Sequence, residues 1–345
     1  MLDDRTAADS KMLLGHSGPI YSVAFSSDRQ FLVSASEDAT IRLWSLVTFT
    51  NLIAYKVKCR GLIRLIISIM FRFHFRVNDL LKSSISIQGH NFAVWCVRFS
   101  PCGHYFVSGG QDRTARLWST DHHQPLRIFA GHLSDVDVVS FHPNCNYVAT
   151  GSTDRTVRLW DVSNGRCVRN LTGHKGPLQT LSFSPSGRYL ASAGADGVVY
   201  LWNIATGHLQ GWFRHDKRDN DAGPSTKVDN FLKRSEKNSE QQPAATPLYS
   251  ATICTLAFSR DGGALASGGL DEAVCVWNIE KLMSDYDDEE SAVAGSGSAG
   301  NDSNQPMFDE NADYCLGRFT TKKTPVLGLH FTRRNLLLAF GPHLA

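Results

Sequence analysis

A histidine, a serine or threonine hydroxyl and an aspartate recur together along this 345-residue chain, a combination of side chains that could carry out acyl transfer. In such chemistry the hydroxyl attacks, the histidine removes its proton and the aspartate orients the histidine. The spacing is fixed: Asp follows His by 22 residues, the hydroxyl precedes Asp by four, and a Trp follows Asp by six. The sets are His16, Ser34, Asp38, Trp44; His90, Ser108, Asp112, Trp118; His132, Thr150, Asp154, Trp160; His174, Ser192, Asp196, Trp202; and, without a histidine, Ser267, Asp271, Trp277.

The repetition itself argues against catalysis. A hydrolase of this kind holds its nucleophile at a sharp strand-to-helix turn, and no such turn sequence accompanies these hydroxyls. A buried Asp is costly unless its oxygens accept hydrogen bonds, so a recurring group of this type is suited to fixing the geometry of a repeated turn. We interpret each set as a structural tetrad. In the fifth set, Leu248-Tyr249 stand where the Gly-His pair of the other four is expected.

The stretches between these anchors have the pattern of short strands separated by turn sequences. In the third unit they are VDVVSF (136–141), NYVATGS (146–152), TVRLW (156–160) and CVRNL (167–171). Four strands in a unit of about 42 residues are typical of a β-propeller blade. The chain is therefore predicted to be all-β.

These residues and their spacing resemble the WD40 family, whose name dipeptide is present as Trp160-Asp161. The resemblance implies a WD40 β-propeller, seven-bladed in the family, with each tetrad hydrogen-bonded inside its own blade. We expect the propeller to occupy residues 11–345, as five complete blades with partial blades at both ends. KMLL (11–14) would be the outermost strand of one partial blade, and VLGLHF (326–331) with NLLLAFG (335–341) would be two strands of the other.

Partial blades leave strand edges without neighbours, which is a liability for a β-sheet. The family resemblance implies an earlier WD unit and a helical dimerisation region upstream of these residues. We therefore expect an open or strained seam near Met12 and Phe340, and marginal stability for the isolated chain.

Longer stretches between the anchors are similar to a narrower family, which comprises subunit 5 of the general transcription factor TFIID and its paralogue in the SAGA coactivator. The similar segments are 121–133, 141–162, 170–192 and 330–341. This resemblance implies a non-catalytic nuclear scaffold that holds histone-fold TBP-associated factors and other TFIID subunits. Such a scaffold supports assembly of the RNA polymerase II preinitiation complex, and SAGA membership is the alternative.

Three segments depart from the repeat. Residues 57–88 lengthen the first inter-blade connection by 32 residues, are rich in Ile and Phe, and carry six basic residues against one acidic residue. Their length, and the codons available for Val57 and Gln88, are compatible with a retained intron; a partner-binding arm or a membrane-surface amphipathic segment are the alternatives. Residues 215–247 have the composition of a disordered loop, and residues 285–313 that of an acidic, then Gly/Ser-rich, flexible linker.

The composition narrows the function further. A net charge of +2 is far from the strongly basic balance of a dedicated nucleic-acid binder, so direct sequence-specific contact with nucleic acid is not expected. Eight scattered cysteines without a CxxC pair indicate an intracellular protein without a metal site. No stretch suits a membrane span, and no motif indicates a cofactor or a small-molecule substrate.

Partner binding is expected on the rims of the propeller, where turns are carried by a rigid scaffold. The candidate residues flank the turn aspartates, and Arg113 and Arg155 could form a basic patch with Arg98 or Arg116. The candidate rim residues are Glu37, Gln111, Arg113, Thr153 and Arg155.

Two other classes of function remain open from the sequence. A WD40 substrate adaptor of a ubiquitin ligase would require a ligase-binding segment such as an F-box, and none is evident. An enzyme on a propeller scaffold would require polar groups converging on the central channel, which the tetrads do not provide. We therefore favour the TFIID scaffold.

Overall fold

A computed structural model describes residues 11–55, 89–122, 124–215, 252–284, 314–321 and 324–342. Within these ranges the chain forms five four-stranded antiparallel sheets and one two-stranded sheet. In each four-stranded sheet the strands lie in sequence order, so each sheet is one blade. The predicted all-β propeller architecture, with five complete blades and a two-strand partial blade after them, is confirmed.

The strand bounds follow the predicted segments closely. They are β1 Ile20–Phe25, β2 Phe31–Ser36, β3 Ile41–Ser45 and β4 Asn51–Tyr55 in the first blade; β5 Val94–Phe99, β6 Tyr105–Gly110, β7 Thr114–Ser119 and β8 Arg127–Ala130 in the second; β9 Val136–Phe141, β10 Tyr147–Ser152, β11 Thr156–Asp161 and β12 Cys167–Thr172 in the third; β13 Leu178–Phe183, β14 Tyr189–Gly194, β15 Val198–Asn203 and β16 Leu209–Arg214 in the fourth; β17 Ile253–Phe258, β18 Ala264–Gly269, β19 Ala273–Asn278 and β20 Cys315–Thr320 in the fifth; and β21 Gly328–Phe331 and β22 Leu337–Phe340.

One short helix, residues 279–284, follows β19 in the described part of the chain. The Asn278 side chain accepts the backbone N–H of Lys281 (3.0 Å) and so caps its first turn. Ile279 and Leu282 are buried in the cluster shared by the fourth and fifth blades. The helix therefore packs against the fourth and fifth blades directly after β19.

The hydrophobic core lies between neighbouring blades. One cluster joins Cys96, Val107 and Phe129 of the second blade to Val139 and Val148 of the third. Equivalent clusters join each other pair of successive blades, down to the contact of the fifth blade with β21 and β22. Each blade is thus stabilised by its neighbours, as in other repeat architectures.

The first strand shows what happens where a neighbour is missing. Ile20, Val23 and Phe25 of β1 are 50%, 50% and 64% exposed. Their register counterparts in the third blade, Val136, Val139 and Phe141, are 0%, 1% and 8% exposed. The same side-chain types are therefore buried inside the run of blades and open to solvent at its first face.

The partial blades differ from the expectation in one respect. Residues 326–331 and 335–341 do supply the two strands β21 and β22, but residues 11–14 form no strand. A strand needs a neighbour for its N–H and C=O groups, and no strand of the described ranges pairs with residues 11–14. Met12 (82%) and Phe340 (62%), which mark the expected seam, are both largely exposed, and the marginal stability of the isolated chain stays a prediction.

The segments that interrupt the repeat fall almost entirely outside the described residues. This holds for 57–88, for 285–313 and for 216–247. His215, which was assigned to the loop, is described and is buried, 2% exposed. Its position is a correction that is explained below.

Candidate functional site

The tetrad of the third blade is a continuous chain of hydrogen bonds. Trp160 Nε1–H donates to Thr150 Oγ1 (2.8 Å), and His132 Nε2 lies 2.7 Å from the same oxygen. His132 Nδ1 lies 2.8 Å from Asp154 Oδ2. Thr150 on β10, Trp160 on β11 and Asp154 in the turn between those strands are thereby tied to the histidine that precedes β9.

The protonation of this chain follows from burial. Burial lowers the pKa of His132 more than the hydrogen bond to Asp154 and its negative charge raise it, so the imidazole is neutral near pH 7. A neutral imidazole with its proton on Nδ1 donates to Asp154 and accepts the Thr150 hydroxyl proton at Nε2. Every donor in the chain then has an acceptor, which is the arrangement a buried polar network requires.

The aspartate is held in its charged form. Burial alone would raise the pKa of Asp154, but hydrogen bonds from the Thr156 hydroxyl, the Leu133 N–H and His132 hold it at about 2. Thr156 donates both its N–H (3.0 Å) and its hydroxyl (2.7 Å) to Oδ1, and Leu133 N–H donates to Oδ2 (2.9 Å). The carboxylate therefore organises the turn on both sides of itself.

The same chain is present in the first, second and fourth blades. The His Nδ1 to Asp Oδ2 distances are 2.9, 2.9 and 2.8 Å, each His Nε2 is 2.7 Å from the serine Oγ, and each Trp Nε1–H donates to that oxygen at 2.8 to 2.9 Å. The residues brought together are His16, Ser34, Asp38, Trp44; His90, Ser108, Asp112, Trp118; and His174, Ser192, Asp196, Trp202. The sequence spacing thus placed four complete sets.

The fifth blade corrects the sequence interpretation. His215 contacts Asp271 Oδ2 through Nδ1 (3.1 Å) and Ser267 Oγ through Nε2, whereas the Leu248-Tyr249 pair lies outside the described residues. Trp277 Nε1–H donates to Ser267 Oγ (2.8 Å), which completes the set. His215 follows β16 without the intervening glycine and stands 56 residues before Asp271, so a search for Gly-His 22 residues upstream misses it.

The histidine is nevertheless detectable from the sequence. In the undisturbed units the histidine stands 14 residues after Trp, and His215 stands 13 residues after Trp202, shorter by the one missing glycine. The insertion therefore lies after the histidine of the fifth blade and separates it from Ser267, Asp271 and Trp277. The sequence analysis places the insertion before the histidine position instead.

Burial decides against catalysis by these sets. The hydroxyl residues Ser108, Thr150, Ser192 and Ser267 are all 0% exposed, and Ser34 is 2% exposed. A nucleophile must reach the substrate, whereas each of these hydroxyls is enclosed by its histidine and tryptophan. Their geometry serves the turn and the blade.

A guanidinium supports the carboxylate or the Gly-His backbone in several blades. In the second blade Arg116 donates to Asp112 Oδ2 (3.1 Å) and to the carbonyl of Gly89 (2.7 Å). In the third, the Arg158 guanidinium lies against Gly131, where an added Cβ would come within 2.6 Å of Arg158 Nη1. Arg116 is 4% exposed, and the predicted contribution of Arg116 to a surface basic patch is therefore wrong.

The predicted rim residues lie in the turns between the second and third strands of the first three blades. Glu37, Gln111, Arg113 and Arg155 are exposed, and Thr153 is half-buried. The Thr153 hydroxyl donates to Ser134 Oγ (2.6 Å). Arg113 and Arg155 have φ angles of 63° and 67°, the left-handed backbone conformation of a tight turn.

Four further rim residues, which the sequence analysis does not identify, form a row with the predicted Glu37. Tyr21 donates its hydroxyl to Glu37 Oε2 (3.3 Å), and its ring centroid lies 4.9 Å from that of Trp95. Trp95 Nε1–H donates to Asp135 Oδ2 (3.2 Å), and Asp135 acts electrostatically on Asp137. We call these five residues the acidic–aromatic row; it crosses the first three blades where the innermost strands begin.

The opposite rim carries a groove of about 470 Å³ between the first and second blades. Its lining combines apolar side chains such as Leu52 and Ile53 with Asp28, His104 and Asp121. No tetrad residue lines it. Among the described residues, no group of three or more His, Cys, Asp or Glu side chains is placed to hold a metal ion, and no helix is long and apolar enough to cross a membrane.

The fold and the tetrads define a β-propeller built from repeated four-stranded blades. The chain belongs to the WD40 family: the family described as "WD domain, G-beta repeat" matches residues 9–45, 81–119, 123–161, 165–203 and 245–278, together more than half of the chain. The fifth match begins at residue 245, downstream of the histidine that the structure places in that blade.

Within the WD40 family, the chain is similar to a smaller group of curated relatives. The chain is 33% identical to "Transcription initiation factor TFIID subunit 5" of Caenorhabditis elegans over 342 residues, which is 99% of this chain and 41% of that protein. It is 56% identical over 46 residues (13% of the chain, 7% of the relative) to "SAGA complex/transcription factor TFIID complex subunit Taf5" of Schizosaccharomyces pombe. The chain thus spans about two fifths of the length of the nematode relative.

Proposed function

We propose that the chain is a non-catalytic protein-interaction scaffold of a TFIID-type complex. The observation that carries the proposal is the 33% identity to TFIID subunit 5 across 99% of the chain. The buried hydroxyls support a structural role for the tetrads, and the exposed turns of the first three blades offer surfaces for partners. The nucleus is the compartment in which such a scaffold acts.

The proposed partners are histone-fold TBP-associated factors and other subunits of the complex, and the proposed role is to support assembly of the RNA polymerase II preinitiation complex. Glu37, Gln111, Arg113, Thr153 and Arg155 are proposed as rim contacts, because they stand in turns whose backbone is held by a rigid blade and all but Thr153 are exposed. No cofactor and no small-molecule substrate are part of this function.

SAGA membership is the second candidate. The fission yeast relative carries both complexes in its name, and a mouse relative, "TAF5-like RNA polymerase II p300/CBP-associated factor-associated factor 65 kDa subunit 5L", is 47% identical over 53 residues, 15% of this chain. The two complexes contain different subunits, so the proteins that bind the chain distinguish TFIID from SAGA.

Affinity capture from nuclear extract with the tagged full chain distinguishes these functions. We expect histone-fold subunits and other TFIID subunits to be recovered, and the double variant Arg113→Glu/Arg155→Glu to recover fewer of them. The matched control is Arg127→Glu/Arg169→Glu, which changes two partly exposed arginines of outer strands. Recovery of SAGA-specific subunits alone would select the alternative, and recovery of cullin-type ligase subunits without histone-fold proteins would contradict both.

A further inference from the structure

The acidic–aromatic row has the features of a binding surface. The Tyr21 ring is 46% exposed and packs against that of Trp95. Phe92 and Leu133, in the turns that lead into the inner strands of the second and third blades, are 57% and 77% exposed. Exposed aromatic and aliphatic side chains bordered by charge are typical of protein-interaction sites.

The carboxylates of the row form no ion pair in the described part of the chain. No Lys, Arg or His of these ranges pairs with Glu37, Asp135 or Asp137. Arg98, on the neighbouring strand β5, donates to the carbonyl of Val97 (3.1 Å). Burial, and then the negative charge of Asp135, raise the pKa of Asp137 to about 7, so placing two negative charges here costs free energy.

An arginine side chain could interact with both the aromatic rings and the carboxylates of the row. Its guanidinium is planar, stacks on aromatic faces and donates several hydrogen bonds in a fixed fork to carboxylates. In this row the Tyr21–Trp95 ring pair lies next to Asp135, because Trp95 itself donates to that carboxylate. A cation placed there would neutralise the pair formed by Asp135 and Asp137.

We propose that the acidic–aromatic row binds an arginine side chain presented by a partner polypeptide. The proposal rests on the scaffold function only in taking the partner to be a polypeptide. Its position across three blades would make the site dependent on their packing, since no single blade carries both the ring pair and the carboxylate pair. Arg113 and Arg155, which stand in the turns of the same rim, would orient a mixed-charge segment rather than fill the row.

The test is a direct titration of the full chain with a fluorescein-labelled peptide of alternating glycine and arginine, followed by fluorescence anisotropy. A peptide with citrulline in place of arginine keeps the shape and removes the charge. We expect the arginine peptide to bind, the citrulline peptide to bind at least about tenfold more weakly, and added salt to weaken the arginine complex. Equal binding of the two peptides, or no binding of either, would overturn the proposal.

Variants locate the site. Asp135→Asn/Asp137→Asn keeps the side-chain shape and should weaken arginine-peptide binding about tenfold, and Trp95→Leu should weaken it about threefold. Asp121→Asn, an exposed carboxylate of the opposite rim, is the matched control and should change binding less than about twofold. Thermal unfolding of each variant checks that the blades remain folded.

Two results would reject the assignment. Unchanged affinity in the double asparagine variant, or an equal loss in Asp121→Asn, would show that the peptide binds elsewhere or without a site. Arginine-peptide binding that arises only when residues 57–88 are deleted would assign the row to that basic segment of the same chain. Subunit capture as described under the proposed function is scored separately, so failure of the peptide assay leaves that result unaffected.

Discussion

The third and fifth blades contain the same four side-chain types in the same chain of contacts, but the two chains are not equally satisfied. In the third blade Asp154 accepts hydrogen bonds on both oxygens. In the fifth, Asp271 Oδ1 is buried and has no hydrogen-bond partner among the described residues. The difference lies two residues after the aspartate, where Thr156 stands in the third blade and Ala273 in the fifth.

The fifth blade compensates in part from another strand. Arg318 on β20, which pairs in register with Cys275, donates to Asp271 Oδ2 (3.3 Å). His215, which stands 56 residues before Asp271 in the sequence, contacts the same oxygen. The two blades show that the His, Ser/Thr, Asp and Trp side chains of a tetrad must lie close together in the folded blade. Their separation along the sequence can vary.

Removal of the aspartate gives the largest expected difference between the two blades. Asp154→Ala should lower the free energy of unfolding by about 3 kcal/mol, because it leaves the donors of His132, Leu133 and Thr156 without an acceptor. Asp271→Ala should cost less, about 1–2 kcal/mol, since fewer donors are abandoned. Urea unfolding of the two variants measures both values, and equal losses would break the comparison.

Low pH should destabilise the third blade by protonating Asp154. The pKa of Asp154 is held at about 2, below the value of about 3.9 for an unfolded Asp, so the unfolded state binds the proton first as the pH falls. Its contribution to stability is therefore full above pH of about 4 and is lost between about 4 and 2. Thermal unfolding from pH 5 to pH 2 should show a shallower decline for Asp154→Asn than for the unaltered chain; identical slopes would contradict this.

The unsatisfied oxygen of the fifth blade offers a gain of stability. Ala273→Thr should place a hydroxyl near Asp271 Oδ1, as Thr156 does near Asp154, and raise the free energy of unfolding by about 1 kcal/mol. The reciprocal change, Thr156→Ala, should lower it by about 1 kcal/mol or slightly more. A273T that destabilises the chain would show that the buried site at Ala273 has no room for the hydroxyl.

The smallest effect concerns the second residue of the inner strand, which is Asp137 in the third blade and Cys254 in the fifth. Because the pKa of Asp137 is raised to about 7, the folded state holds an extra proton between about pH 4 and 7, and stability is lost as the pH rises through that range. Asp137→Asn should therefore raise the melting temperature by about 2 °C at pH 8 and little at pH 4. A larger gain at pH 4 would have the wrong sign.

The strands and the tetrads were predictable because local features determine them. Fixed spacing between His16 and Asp38, and again in three later units, reports a repeated turn and strand length that every blade must share. Strand bounds followed from apolar alternation and turn residues. The prediction of a strand at residues 11–14 is wrong: it assumes partner strands upstream of them, and no strand of the described ranges pairs with these residues.

The acidic–aromatic row could not be found in the same way. Tyr21, Trp95 and Asp137 occupy equivalent positions of three inner strands, yet they share no residue type and no short-range pattern. Only the packing of the blades brings Trp95 to Asp135. The repeat pattern identifies only the residues that all blades share. The row is formed by residues that differ between blades, so the pattern does not identify it.

The central claim is that four side chains build each blade and that His215 supplies the fourth of them in the fifth. A double-mutant cycle on His215→Ala and Asp271→Ala tests it by urea unfolding, with Tyr249→Ala and Asp271→Ala as the matched control. We predict a coupling of about 1 kcal/mol or more between His215 and Asp271, and near zero between Tyr249 and Asp271. Negligible coupling for His215, or a strong one for Tyr249, would contradict the account.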